Sequence, residues 1–342
     1  MDSPPIKTAV IGAGAIGGIT AAYLAQAGWP VELVCKHDDT VRAASTKGLR
    51  VFGVRGEFRA PVKAMREVGE LTPGPEVVFL ATKATDMLPA AENLLPLLKP
   101  GSLVVSLQNG LCEEALGRAL GPERVVGCVV GWGATMHHPG ELEMTSTGEF
   151  VLGMLDHRPE PRLELVREML SAVVPARLSA NILGELYGKL IINSCINSAG
   201  GVSGLYLGQM LASAQARRLF LAIMAEAMAV ADGLGLKVEP GGGGKLDYYR
   251  FLAGAGPLAE IRRHLTLRLV GFKYRRLKSS LLQSLERGRP TEIDYLNGYV
   301  CVKGRELGVP TPVNDAVVTM IKEIEAGARP IRRENLDALS RT

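Results

Sequence analysis

The chain has 342 residues, 47% of them hydrophobic, enough for two domains with full cores. Its 39 basic and 35 acidic residues leave a formal charge of +4, too weak a field for bulk nucleic-acid binding and too mixed a pattern for a disordered chain. Five scattered cysteines (Cys35, Cys112, Cys128, Cys195 and Cys301) form no CxxC pair, which argues for a reducing, cytoplasmic setting and against a disulfide framework or a zinc site. The first apolar run, Thr8–Gly12, is too short for a secretion signal. The greasiest stretch, Leu219–Leu236, is interrupted by Glu226 and Asp232 and reads as a core helix rather than a membrane span.

In chain order, Thr8–Ile11 is a β-type run ending in glycines, and Gly18–Ala27 has helical composition and stops at Gly28. Val31–Val34 is a second short run, and Val77–Ala81, Leu103–Leu107 and Val125–Val130 follow as continuous apolar runs, as strands of a parallel sheet buried on both faces should be. Helical stretches Asp86–Leu98 and Glu113–Ala119 lie between some of them, and the alternation predicts a doubly wound α/β domain. Beyond Ala180 long helical segments dominate: Leu183–Asn197, Ser213–Leu234, Leu258–Tyr274, Asn297–Leu307 and Asn314–Ala326. Gly308-Val-Pro-Thr-Pro312 is a helix stop and restart. The expected organisation is an α/β dinucleotide-binding domain over residues 1–178 and an all-α domain over 179–342. His137-His138 has no carboxylate or thiol at ligand spacing and is expected in a loop, with no metal.

Gly12-Ala13-Gly14-Ala15-Ile16-Gly17 is a GxGxxG, a pattern that about half of chains with this much glycine contain by chance. Its setting makes it informative, because it follows the first strand directly and opens a helix. Gly12 permits the tight turn, Gly14 lets the backbone approach a pyrophosphate, and Gly17 lets helix and strand pack closely. The helix N-terminus then faces the phosphates. At the end of the second strand, where a reader of a ribose 2′-hydroxyl would be acidic, the sequence has Val34-Cys35-Lys36-His37. A cation at Lys36 suits a 2′-phosphate, so NADP(H) is favoured over NAD(H), although Asp38 and Asp39 follow closely.

Between Ile182 and Asn197, polar Glu185, Lys189, Asn193 and Asn197 recur every four residues, a stripe drifting about 40° per step on a helix. Leu186, Leu190, Ile191, Ile192 and Ile196 occupy the other faces and should be buried. Such a stripe faces water or lines a cleft, where amides orient a polar small molecule and a lysine anchors an anion or donates a proton. Further on, Thr291 and Asp294 have capping-box spacing, which would put Glu292 in the first helical turn. Lys278-Ser279-Ser280 is polar ahead of Leu281-Leu282, as a helix cap would be.

Six motifs, in this order and spacing, resemble the ketopantoate reductase (2-dehydropantoate 2-reductase) family over nearly the whole chain. They are Gly12–Gly17, Thr82-Lys83-Ala84, Leu107-Gln108-Asn109-Gly110, Lys189-Leu-Ile-Ile-Asn193-Ser-Cys-Ile-Asn197, Ser279-Ser280-Leu-Leu-Gln283 and Thr291-Glu-Ile-Asp-Tyr-Leu-Asn-Gly298. The resemblance implies a Rossmann-type N-terminal domain and a helical C-terminal domain like that of 6-phosphogluconate dehydrogenase, with the active site between them. It implies NADPH as hydride donor and a 2-oxo acid, ketopantoate, as acceptor. Lys189 falls on the proton-donating lysine, and Asn193, Asn197 and Ser280 on substrate-contacting positions. Asn109 falls between nicotinamide ribose and substrate. Lys36 and Lys83, with Gly12, Ala13, Gly14, Ala15, Ile16 and Gly17, fall on cofactor-contacting positions. Glu292 falls on a glutamate near the nicotinamide and the lysine. The chain departs from the pattern in the glycine-rich Ser198–Gly204, in Ser284 after Gln283, and in an extended segment from Gly241–Gly244 to Arg263. Two other readings stay open: a related reductase or dehydrogenase of another 2-oxo or hydroxy acid, and a non-catalytic NADP(H)-responsive protein. A methyltransferase also uses a glycine turn but leaves the second-domain stripe without a purpose. The apolar helical half leaves room for a homodimer, with no residue to establish it.

Overall fold

The computed structural model describes residues 6–340, and it divides into two compact units, Met1–Leu186 and Tyr187–Thr342.

In chain order, the first unit contains β1 (Thr8–Ile11), α1 (Ala15–Gln26), β2 (Val31–Val34), α2 (Asp38–Thr46), β3 (Leu49–Gly53), β4 (Phe58–Ala60), β5 (Lys63–Met65), β6 (Val77–Leu80) and α3 (Met87–Leu94). These are followed by β7 (Leu103–Ser106), α4 (Glu113–Leu120), β8 (Val125–Val130), β9 (Gly133–His138), β10 (Glu141–Ser146), β11 (Phe150–Met154), α5 (Arg162–Ser171) and β12 (Ala176–Leu178). Eight strands form one sheet in the order β12-β11-β8-β7-β6-β1-β2-β5. All its pairs are parallel except β11 with β8. The central strands β1, β6 and β7 are buried at every position, as continuous apolar runs inside a covered sheet must be. From β1 the chain moves outward through β2 to β5, and then restarts on the other side of β1 at β6. The sheet therefore reverses its winding between β1 and β6, the place where open α/β sheets bind ligands beyond their strand ends.

A second sheet, β4-β3-β10-β9, is absent from the sequence expectation. Its strands are short and half exposed, and β9 carries no buried residue at all, so no apolar run marks it. His137 and His138 end β9 rather than lying in a loop, and the His137 ring pairs with Glu143 of β10 at 2.6 Å. Gly140, at a φ of 77°, closes the β9–β10 hairpin.

The second unit is helical. The helix α6 (Ile182–Ser203) leads into it, followed by α7 (Leu207–Ala212), α8 (Ala214–Gly233), the four-glycine turn α9 (Gly241–Gly244), α10 (Tyr248–Leu252), α11 (Pro257–Lys273), α12 (Ser280–Glu286), α13 (Asn297–Leu307), α14 (Pro312–Glu325) and α15 (Asn335–Leu339). No described helix is long and apolar enough to cross a membrane. The predicted stop and restart is present: Gly308 is left-handed at the end of α13, and Pro312 opens α14. Two bonds tie α6 to α8. The buried Tyr187 hydroxyl donates to the Ala227 carbonyl at 2.8 Å, and the Cys195 thiol donates to that of Phe220 at 3.5 Å. Burial raises the pKa of both side chains, so each stays protonated and keeps its donor.

Candidate functional site

In the first unit, the predicted ligand residues stand together at the carboxyl ends of neighbouring strands. Gly12 follows β1, Lys36 lies just past β2, Lys83 past β6 and Asn109 past β7. The glycine turn has the shape its spacing implied. Gly12 has a φ of 105°, and a Cβ there would lie 2.7 Å from the Ala81 carbonyl and the Thr82 amide at the end of β6. A Cβ on Gly17 would overlap the Gly12 carbonyl oxygen. Gly14 differs: nothing lies within 4 Å of where its Cβ would stand. Gly14 is also the N-cap of α1, which has no side-chain cap and no acidic residue in its first turn. An open space over uncapped helix N–H groups fits a pyrophosphate.

The ribose end is more guarded. The Lys36 ammonium pairs with Asp86 at 2.8 Å, both side chains being well exposed. Asp38 is engaged by Arg66 at 2.9 Å. Lys83 is half-buried and stands at the head of the short turn Ala84–Asp86.

Asn109 is half-buried, and its neighbour Gln108 is the residue that sequence reasoning passed over. The Gln108 amide donates to the Thr82 hydroxyl at 3.2 Å, and its oxygen accepts from Ser106 at 2.8 Å. The side chain thus laces the ends of β6 and β7 together beneath Asn109. Its place in Leu107-Gln-Asn-Gly110 was the available signal.

In the second unit, Lys189 and Asn193 are half-buried on α6, and Asn197 is 7% exposed one turn on. Glu185, the first polar residue of the predicted stripe, belongs to the first unit and pairs with Arg177 at 2.8 Å. Leu186, Leu190 and Ile191 are buried as expected, whereas Ile192 and Ile196 are only half-buried. Ile192 lies beside the four-glycine turn: a Cβ on Gly241 would meet its Cδ1 at 2.7 Å.

Asn197 Oδ1 accepts from both the backbone N–H and the hydroxyl of Ser280, each at 3.1 Å. With that oxygen occupied, the amide presents N–H donors, the polarity that suits a carboxylate or a ketone oxygen. Of the serine pair, Ser279 is the helix cap, its hydroxyl accepting from the Leu282 N–H at 3.2 Å, and Ser280 is the partner of Asn197. The glycines after the stripe explain this closeness. A Cβ on Gly200 would overlap the Ser279 hydroxyl, and one on Gly201 would press on Leu281 and Ile321. The backbone of α6 is engaged beside Lys189 as well. The buried Tyr248 hydroxyl donates to the Gly188 carbonyl, and Gly188 leaves room for the Glu239 carbonyl.

Glu292 is half-buried and heads the turn Ile293–Tyr295, so it lies before α13 rather than in its first turn. The expected capping box does not form. The Thr291 hydroxyl accepts from the Ile293 N–H at 3.3 Å, and Asp294 turns to Lys322 at 2.6 Å. The segment is held instead by buried amides. Asn297 donates to Asn314 at 2.9 Å, and Glu226 of α8 accepts the N–H groups of Val313 and Asn314 and the Asn314 amide, at 2.6–2.9 Å. Glu226, an interruption in a greasy stretch by sequence, thus serves as the cap of α14.

The comparisons with known proteins agree with one another. The sequence models described as "Ketopantoate reductase PanE/ApbA" and "Ketopantoate reductase PanE/ApbA C terminal" match residues 8–157 and 181–325. A 2-dehydropantoate 2-reductase of Mesorhizobium japonicum is 31% identical over 93% of this chain and 98% of its own. A PanE/ApbA family ketopantoate reductase from Ralstonia eutropha JMP134 superposes with a TM-score of 0.80 at 28% identity, covering 94% of this chain and 99% of its own. A D-mandelate dehydrogenase solved with NADH and anilino(oxo)acetate shares the fold, with a TM-score of 0.79 at 22% identity and coverage of 94% and 99%. The chain belongs to the ketopantoate reductase family, an α/β dinucleotide-type domain joined to a helical domain.

Proposed function

We propose that this protein reduces 2-dehydropantoate to pantoate with NADPH, and that Lys189 is the proton donor. The observation that carries the reading is the face of α6: a lysine and two asparagines one turn apart, the last fixed by Ser280 so that it offers donors. Such a face matches the carboxylate and ketone oxygens of a 2-oxo acid.

When bound, the nicotinamide supplies the hydride. The protein's own groups do the rest. Gly14 and the N–H groups of α1 receive the pyrophosphate, with Ala13, Ala15 and Ile16 shaping the turn, and Lys83 and Asn109 hold the ribose side. Asn193, Asn197 and Ser280 orient the acceptor. Lys189 Nζ stabilises the carbonyl oxygen as it gains charge and passes it a proton, and Glu292 holds the lysine in place. Lys36 favours a 2′-phosphate because no carboxylate follows β2 directly, and an exposed ion pair like the one it makes with Asp86 contributes little and yields to a better anion. That same pair supports a second reading, NADH, if Asp86 keeps the lysine. The related D-mandelate dehydrogenase also makes other 2-oxo acids worth testing as acceptors.

The test is NADPH and NADH oxidation by purified protein with ketopantoate, beside a panel of 2-oxo acids. Saturable turnover with ketopantoate and NADPH is the expected result. Turnover only with another acid moves the substrate, and cofactor binding without turnover favours a regulatory protein. Lys189→Ala should lose about 10²–10⁴-fold in kcat while still binding cofactor. Unchanged kcat would remove Lys189 from the mechanism.

A further inference from the structure

We infer that the second unit binds a diphosphate group, carried by a small soluble molecule, in a cleft between α8 and α11. Two hollows of about 310 and 360 Å³ adjoin there and share Pro257, Glu260 and His264. Arg217 and Arg268 line the first, and Arg218 and Arg263 the second. Among the described residues Glu260 is the single carboxylate in either wall, so four cations face one anion. None of these residues stands on the α6 face or in the strand-end group, so the proposed reaction makes no use of them.

The cations are held in place, not merely solvated. Arg217 is half-buried. Its Nη1 donates to the carbonyls of Leu211 and Ala212 at 2.7 and 2.9 Å, and its Nε donates to His264 Nδ1 at 3.0 Å. All three acceptors are uncharged. A cation partly withdrawn from water ordinarily has a carboxylate beside it, yet no described carboxylate pairs with Arg217. Arg218 and Arg268 are exposed and make no hydrogen bond or ion pair with any described residue. Because Arg217 occupies Nδ1, the neutral His264 ring carries its proton on Nε2 and offers it as a donor. Glu260 stands 3.8 Å from that nitrogen, too far to take the bond.

Like charges thus meet without relief. Burial, then Arg268 and Arg218, pulls the Arg217 pKa below its ordinary value; burial, then Arg217, does the same to His264, with Arg218 adding to it and Glu260 opposing. The neighbouring α7 has no charged residue. The first turn of α8 has no acidic residue to meet its dipole, and α11 starts at Gly256 without a side-chain cap. A bound anion relieves all of these together. Guanidinium groups match phosphoryl oxygens in geometry and charge. Two hollows meeting at His264 suit two linked phosphoryl groups, whereas a single carboxylate would leave most of the charge unmet.

The test is calorimetric titration of the full chain with inorganic pyrophosphate at about 0.15 M salt, where a diffuse basic surface is screened. Saturable binding is expected, at least tenfold tighter than that of sulfate. The double variant Arg218→Gln, Arg268→Gln removes two cations that hold nothing in the fold. It should weaken pyrophosphate binding at least tenfold while melting as wild type does and keeping kcat within twofold. The double variant Lys36→Gln, Lys83→Gln, at the strand ends, should leave pyrophosphate affinity within twofold. Absence of binding, affinity no better than for sulfate, or a cleft variant that binds as wild type does would overturn the inference. So would capture by vesicles containing phosphatidic acid without binding of free pyrophosphate, which would make the cleft a site for lipid headgroups.

Discussion

In the first unit, Gly14 stands at the head of α1 with open space where a Cβ would be; in the second, Gly200 faces the Ser279 hydroxyl directly. Both belong to glycine-rich stretches, and by sequence the two stretches look alike. The difference lies in what fills the space. Around Gly12 and Gly17 the protein packs on itself to build a turn, and it leaves the place above Gly14 for something else. Around Gly188, Gly200 and Gly241 the protein's own segments take the space, so these glycines let neighbouring loops close onto α6. A glycine beside a functional residue therefore signals a ligand only when its missing side chain leaves a void.

Gly17→Ala should do most harm. Its Cβ would overlap the Gly12 carbonyl, so the turn must open, at a cost of about 3 kcal/mol, and cofactor binding should be lost. Thermal melting and cofactor titration check both. Gly200→Ala should push Ser279 and Ser280 away from α6, costing about 1–2 kcal/mol. The KM for the acid should rise about tenfold with cofactor affinity unchanged. An unaltered KM would break the link between that glycine and the substrate face. Gly14→Ala should leave the melting curve within about 0.5 kcal/mol of wild type, since the methyl meets nothing. Cofactor affinity should nonetheless fall about tenfold. Wild-type binding by that variant would mean that the void is not the ligand's.

The smallest effect concerns His264. Burial, then the nearby Arg217 cation, holds its pKa below the ordinary histidine value, against the opposing pull of Glu260. The folded state therefore prefers the neutral ring. The stability this contributes is fully present above the unfolded pKa of about 6.5 and is lost as pH falls through the folded value. Urea midpoints at about pH 7.5 and pH 5.5 should differ more for wild type than for His264→Gln.

Sequence legibility followed burial. The strands β1, β2 and β8 match their predicted runs end to end; β1 and β8 are almost wholly buried and apolar, and β2 departs only at Glu32, which pairs with Lys63 of β5. The sheet β4-β3-β10-β9 escaped because its strands of three to six residues carry no continuous apolar run, and the alternation in β3 and in Glu-Leu-Glu-Met of β10 spans only four residues. The strand-end grouping of Gly12, Lys36, Lys83 and Asn109 followed from the β-α alternation. The bonds that set their surroundings did not. Nothing local announces that Gln108 reaches Thr82, that Asn197 turns its oxygen to Ser280 eighty-three residues away, or that Asp86 holds Lys36. The capping box failed for a related reason: Lys322, remote in sequence, claims the Asp294 carboxylate.

The burial of all five thiols gives the native protein an internal clock. Burial raises the pKa of Cys195 and moves that of Cys301 up to about 12, so these two are shielded and protonated while the fold is closed. An alkylating reagent then reacts only as fast as the structure opens. Cys35 and Cys112 lie at the strand-end loops, their thiols donating to the carbonyls of His37 and Asn109, whereas Cys195 lies where α6 meets α8. The order in which these sulfurs become labelled reports which unit breathes first. A ligand that slows Cys35 and Cys112 but leaves Cys195 alone declares its binding place without any turnover being measured.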